Sequence, residues 1–320
     1  VAKYVGIDGH STQNCPGNVP CKGIFVDPND QLGDYNLYLS NESHVQVATS
    51  EASFAGQFEF LTEVAPERTH IAPEADEVTV AGRTLYFPAN GGAEGSTLNI
   101  WEIDSDTGHR LEEAESPVAS FAIDDSGNWG PVALVPGAHY EFELLRPGRP
   151  NHHFFRQPFL RSTHLVRLNT SPVDGDAEAN THLGPDHAAL VVSRDKEWWT
   201  NASNANNDRL EVSTSSPYWG DQPALNVLRE EMGNSNIGIH LHDSAERPAV
   251  SSGEILTWFH EQAFQTGADI YMPAYAPADG TITLISTPRG RSDRQQTINV
   301  PNLRSSEHRI SVIFNDYIQD

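Results

Sequence analysis

The sequence predicts a mixed fold: a short α/β segment at the N-terminal end, then mainly antiparallel β-sandwich or barrel domains. Three observations carry this expectation. Residues 1–62 hold short, nearly continuous apolar runs and one helical pattern, as in a parallel sheet covered on both faces. Residues 73–160 alternate apolar and polar positions between turns rich in Gly, Pro and Asp. Residues 161–320 continue the strand-like pattern to the end of the chain.

The elements follow in order. The runs "VAKYVGI", "KGIFV" and "YNLYL" read as strands, each followed by Asp, Gly, Pro, Asn or Ser. A helix is predicted from about Glu51 to Leu61, with Ser50 as N-cap, Glu51 favourable to the helix dipole, and Phe54, Phe58 and Leu61 on one face. Residues 63–72, "EVAPERTHIA", lack periodicity and read as a linker. Strands then fall on "VTVAGRTLYF", "STLNIWEID", "VASFAI" and "HYEFELL", separated by "SDTGH", "DDSGN" and "VPG", which predicts a small antiparallel sandwich over 73–160. Further strands are read at "HLVRLNT", "HAALVVSR", "RLEVSTS", "NIGIHLHD", "ADIYMPAY", "GTITLIST" and "HRISVIFNDY", within a β-rich domain over 161–320. The apolar stretch "GEILTWFHEQAFQTG" reads as a buried segment in preference to a ligand-facing wall.

Composition narrows the function classes. With 20 basic and 44 acidic residues, the formal charge is 20 − 44 = −24, which argues against charge-driven binding of nucleic acid or anionic lipid. No apolar run approaches the ~20 residues of a membrane helix. Cys15 and Cys21 share one loop, and their spacing fits neither a redox CxxC nor a zinc site; a short disulfide and an extracellular or secreted setting are expected. The triplets at Asn41, Asn169 and Asn201 match the glycosylation pattern.

Reactive groups in an open α/β sheet sit in loops at the carboxyl ends of strands. Asp8 ends the first strand and His44 follows the third, in "SNESHVQVATS". A carboxylate that fixes an imidazole, which deprotonates a nucleophile, is the logic of a catalytic triad. Asp27, in "FVDPND", is a competing acid, because it too ends a strand. His152-His153 and His240-x-His242 do not imply a metal, since no third ligand stands at a useful spacing; no metal and no cofactor are expected. Trp101 and Trp129 are candidates for a sugar-stacking platform, with at least one in the core. Trp198-Trp199 places one indole outward, toward lipid or a partner.

Two resemblances add to this reading. Residues 73–160 resemble transthyretin-like β-sandwich modules in their order of strands and turns. The N-terminal "YVGIDGH…NVPCKGIFV…YNLYLSNESHVQVATSEASFAGQFEFLTE", with "PFLRSTHLVRL", "ALVVSRDKEWW" and "ADIYMPA" downstream, resembles prokaryotic α/β-hydrolase-fold lipases with a C-terminal β-rich lipid-binding region. That resemblance implies Asp8 as catalytic acid and His44 as base, with Ser43 in place of the usual Thr. It also implies that residues 1–62 are the C-terminal part of an α/β-hydrolase domain. The nucleophile is the departure: the chain has no G-x-S-x-G, and "GNSNIG" at Gly233 has its second Gly one residue too late.

Three strands and one helix are half of such a sheet, and its open edge needs a partner. The expectation is a secreted serine lipase or carboxylesterase whose serine lies upstream of this chain, inactive in its absence. The substrate is then an acyl ester or lipid, and an upstream segment or another copy completes the sheet. The alternative is a non-catalytic extracellular structural or adhesive subunit that assembles into homo-oligomers through that edge.

Overall fold

The computed structural model describes residues 2–9, 14–172, 174–200, 207–216, 223–289 and 291–315, the Asp195 side chain excepted. The predicted start of the first strand at Val1 and the Asn201 triplet lie outside the described residues. The chain divides into two compact units, one built on residues 1–71 and the other on 72–194 and 198–315. Among the described residues no helix is long and apolar enough to cross a membrane.

In the first unit, β1 (Tyr4–Ile7), β2 (Cys21–Phe25) and β3 (Tyr35–Tyr38) form a parallel sheet in the order β1-β2-β3. Parallel strands need crossovers, and the first is stapled by the disulfide Cys15–Cys21, with Cα atoms 5.5 Å apart. Gly33 permits the close return of the chain over this bridge. It sits at φ +61°, and a Cβ there would lie 2.5 Å from the Cys15 sulfur. A short turn α1 (Gln46–Thr49) leads into α2 (Glu51–Thr62), where the Ser50 hydroxyl accepts the Ser53 N–H at 3.1 Å as the cap sequence predicts. The Lys3 ammonium binds the Phe60 carbonyl at 2.8 Å, at the negative end of the helix dipole.

The burial of α2 differs from the expected face. The helix buries Ser53 and Gly56, while Phe54, Phe58 and Leu61 are exposed. The reason is close approach: Gly56 lies so near Leu37 that a Cβ would come within 2.6 Å of its Cδ2. Small residues let the helix seat on the sheet, and the Phe stripe is left in solvent.

The second unit holds β4 (Val78–Tyr86), β5 (Gly91–Gly92), β6 (Thr97–Ile103), β7 (Ala119–Ala122), β8 (Asn128–Leu134), β9 (His139–Leu145), β10 (Asn151–Arg156) and β11 (Thr163–Thr170). It continues with α3 (Asp176–Ala179), β12 (Leu190–Trp199), β13 (Arg209–Thr214), β14 (Leu225–Asn226), β15 (Asn234–His242), α4 (Thr257–His260), β16 (Gln265–Asp269), β17 (Thr281–Thr287), β18 (Gln296–Pro301) and β19 (His308–Ile313). One eight-stranded sheet runs β16-β15-β12-β19-β10-β9-β6-β7. A four-stranded sheet of β11, β4, β5 and β8 shares a core with it, built on Leu98, Ile100, Phe142, Leu144 and Phe154 from the long sheet. A second sheet, β14-β13-β17-β18, shares another core with it, built on Phe155, Val192, Leu241, Ile310 and Val312 from the long sheet.

Phe154 and Phe155 are consecutive on β10 yet belong to different cores, so the two sandwiches use opposite faces of the shared sheet. This corrects the expected domain plan. The segment 73–160 is not a separate sandwich, because β10 pairs in parallel with β19 from the far end of the chain. The expected boundary at 160 also fails: β11, assigned to 161–320, pairs in parallel with β4. Non-local parallel pairing leaves no turn signal between partners, so neither joint is visible in the alternation pattern. Most of the remaining pairs are antiparallel, as expected.

Candidate active site

β1 delivers Asp8 to the carboxyl end of the parallel sheet. Its N–H donates to the Ile24 carbonyl at 2.9 Å, and the backbone then turns at φ +38°. The Val26 N–H donates to Asp8 Oδ1 at 3.0 Å, which fixes the carboxylate against the end of β2. His44 arrives from the loop after β3. That loop is braced by the Leu39 N–H on the Phe25 carbonyl (2.8 Å) and the Val47 N–H on the Ser43 carbonyl (3.0 Å), with Val47 fully buried.

These placements bring His44 Nδ1 to 2.6 Å from Asp8 Oδ2. The Asp8 side chain is 11% exposed and the His44 side chain 64%. A carboxylate only accepts, so Nδ1 carries the hydrogen and donates. The neutral ring then holds its lone pair on Nε2, to which no hydrogen bond is made among the described residues. The arrangement can take a proton from a hydroxyl brought to Nε2 and stabilise the resulting cation.

Asp27, the competing acid, is spent elsewhere. It is exposed, and its Oδ1 accepts the backbone N–H and the side-chain amide of Asn29, each at 2.8 Å, in an Asx turn. The "GNSNIG" segment runs from Gly233 into β15, not into a strand-turn-helix elbow.

The other sequence candidates resolve into structure. Trp129 is core, between Phe121 and Phe142. Trp101 is covered by the Arg110 guanidinium, 4.2 Å from the ring, and its Nε1 donates to Glu143 at 3.0 Å, so the two indoles form no platform. Trp198 is fully buried, and Trp199 is partly covered by Arg289. Phe259, in the apolar stretch before β16, is buried against His240 at 3.8 Å.

Two carboxylate–imidazole clusters went unread in the sequence. Glu141 and Glu143 of β9 meet His153 of β10 and Arg110 in a buried network, with His308 of β19 at 2.8 Å from His153. Burial pushes the Glu141 carboxyl up, but the bonds from His153 and Arg110 outweigh it and bring it down to about 2. In the other cluster, ligand atoms of His182, His187 and Asp243 lie within 4.8 Å of one another. Ligand atoms of Glu141, Glu143 and His153 are grouped as closely, but there the Arg110 guanidinium already binds both carboxylates. The residues of each cluster are scattered along the chain, so spacing gives no signal for them. The alternating Glu residues of "HYEFELL" have the pattern of an ordinary solvent face.

The lipase C-terminal domain model matches residues 76–173, and a second model, described as a C-terminal domain, matches residues 176–318. No curated protein matches the chain. Among solved structures, the shaft pilin SpaA from Lactobacillus rhamnosus GG is 11% identical, over 76% of this chain and 100% of that one, with a TM-score of 0.22. The TIE protein of Bacillus anthracis is 9% identical, over 74% of this chain and 33% of that one, with a TM-score of 0.19. Likeness at that level carries no argument about this fold. The match over residues 76–173 marks them as a lipase-associated C-terminal region.

Proposed function

We propose that this chain is the C-terminal portion of a secreted serine lipase or carboxylesterase, with Asp8 and His44 as the acid and base of an acyl-transfer triad. The observation that carries the reading is the 2.6 Å contact of His44 Nδ1 with Asp8 Oδ2 at the carboxyl end of a parallel sheet. The lipase C-terminal domain match supports it. The nucleophile comes from a segment other than these 320 residues, since no G-x-S-x-G occurs in them. In the complete site the serine hydroxyl gives its proton to His44 Nε2 as it attacks the ester carbonyl. His44 returns the proton to the leaving alcohol, and water repeats the cycle on the acyl-enzyme. Asp8 holds the tautomer and offsets the imidazolium charge. The first three strands are then the C-terminal part of an α/β-hydrolase sheet, and Asp27 plays no part.

The test is hydrolysis of a p-nitrophenyl ester by this chain co-expressed with the segment that bears the serine. His44→Ala is expected to lower kcat by roughly 10⁶-fold and Asp8→Asn by roughly 10⁴-fold, with Asp27→Asn unchanged. Undiminished turnover in His44→Ala sinks the reading.

The second reading is a structural or adhesive subunit. Two observations favour it: β1 is an edge strand with no further partner among the described residues, and α2 exposes Phe54, Phe58 and Leu61 beside Val64. Both are surfaces for another segment or another copy. Light scattering and electron microscopy distinguish the cases. Growth into filaments by the chain alone favours the subunit, and a monomer that binds the serine segment one-to-one favours the enzyme.

A further inference from the structure

The long sheet carries a second polar feature, on the face opposite the core that contains Phe155. There His152 of β10 pairs in register with Arg309 of β19, and the neighbouring strands add Val191 of β12 and His240 of β15. With Glu178 of α3 these side chains line a cavity of about 60 Å³. A cavity that holds one water needs about 10–15 Å³, so this one admits a small polyatomic ligand.

The charge around the cavity does not balance. Arg309 and Glu178 line it, and two guanidiniums from beyond the lining, Arg146 and Arg149, share the Glu178 carboxylate, so three cations stand against one anion. Arg149 takes Glu178 Oε2 at 2.6 Å and Arg146 reaches the same oxygen at 3.6 Å. Arg309 reaches no carboxylate among the described residues: its Nη1 and Nη2 are buried and make no hydrogen bond, and Arg146 Nη2 is in the same state. Burial, and then the repulsion of its neighbours Arg146 and Arg149, bring Arg309 down to about 10 against the pull of Glu178; it stays charged at neutral pH. The two histidines supply no counter-charge. His152 is bonded through Nδ1 to Thr170 (2.9 Å) and through Nε2 to Ser311 (2.8 Å), and His240 through Nε2 to Gln265 (2.8 Å).

Buried guanidinium donors without acceptors are costly, and a buried excess of positive charge more so. In a chain of net charge −24, a buried arginine cluster of this kind beside a cavity is a local exception. Two adjacent Nη donors on one planar fork match the two oxygens of an oxyanion. We infer that this cavity is a binding site for a small oxyanion, a carboxylate or phosphate group, held by Arg309 in the positive field that Arg146 and Arg149 add. The inference stands on the second unit alone and does not depend on the acyl-transfer reading.

Calorimetry on the full chain at low ionic strength and pH 7 tests it, with inorganic phosphate and acetate as the probes in separate titrations. Saturable one-site binding is expected. Saturation by phosphate alone assigns a phosphate group, and saturation by acetate assigns a carboxylate. Arg309→Met is expected to weaken binding by at least about tenfold, and Glu178→Gln, which removes the competing carboxylate, to tighten it. If Arg309→Met does not fold, Arg309→Lys keeps the charge and removes the fork, and a loss of at least about fivefold is expected. The exposed Arg68→Gln serves as control, without effect. The site is overturned if neither probe saturates up to about 10 mM, or if the Arg309 variants bind as the parent does.

Discussion

The unit of residues 1–71 and the unit of residues 72–194 and 198–315 differ in how much apolar surface each removes from water. In the larger unit two cores run through one shared sheet, with Phe142, Phe154, Phe155 and Trp198 almost wholly buried. In the smaller one the cluster is Cys21, Phe25 and Leu32 with the other half of the disulfide, while the aromatic side of its main helix faces solvent. The large unit is held by burial. The small one leans on a covalent staple and on loop hydrogen bonds, and those same loops present Asp8 and His44. The proposed acid and base therefore sit where the packing is thin, beside an exposed apolar stripe.

The contrast can be broken by substitution. Phe142→Ala, between Trp129 and Phe159, is expected to cost about 3–5 kcal/mol in the large unit, read by denaturant unfolding. It should leave the disulfide-linked unit unchanged. A loss shared equally by both units would show that they unfold as one.

Acid is the next lever. Burial first brings His240 down to about 3 and His242 down to about 4, from 6.5 in the unfolded chain. Both are depressed, so below pH 6.5 the unfolded state binds more protons than the folded one. Their contribution is therefore full above about pH 6.5 and is lost as pH falls toward 3–4. Each ring loses no more than about 1.4 kcal/mol for every tenfold by which folding weakens its hold on the proton. Glu141, held at about 2 against 4.5, loses its own contribution between those values. Unfolding midpoints of the large unit at pH 7, 5 and 4 should fall in that order; a flat profile contradicts the burial of these rings.

The staple comes third. Cys15→Ser with Cys21→Ser is expected to cost the small unit about 2 kcal/mol, from the loop closed by a six-residue separation. Hydrogen exchange on β1 and β2 would report it, and exchange in β9 and β10 should not change. Smallest is Phe58→Ser on the exposed face of α2, expected within about 0.5 kcal/mol for the chain alone. If that face docks a partner, the same change weakens assembly while stability holds.

What the sequence revealed follows from how local each signal is. The parallel strands, the Ser50 cap, the disulfide and the strand-end positions of Asp8 and His44 are local or nearly so, and each was legible. The α2 face was misjudged because apolar spacing marks a stripe without saying what covers it, whereas Gly56 decided the packing by size. The single sheet that joins both β regions depends on β10 meeting β19 across more than half the chain's β-rich part, which alternation does not encode. The Arg309 cavity was hidden for the same reason: Arg146, Arg149 and Arg309 come together only through that pairing.

The proposed triad requires that Asp8 hold His44 as a base with Nε2 free. Nitrogen-15 NMR of the His44 ring at a pH where it is neutral tests this most directly, in the parent and in Asp8→Asn. The hydrogen is expected on Nδ1 and the lone pair on Nε2 in the parent, with that preference weakened in the variant. A ring with its hydrogen on Nε2, or one indifferent to Asp8→Asn, would contradict it.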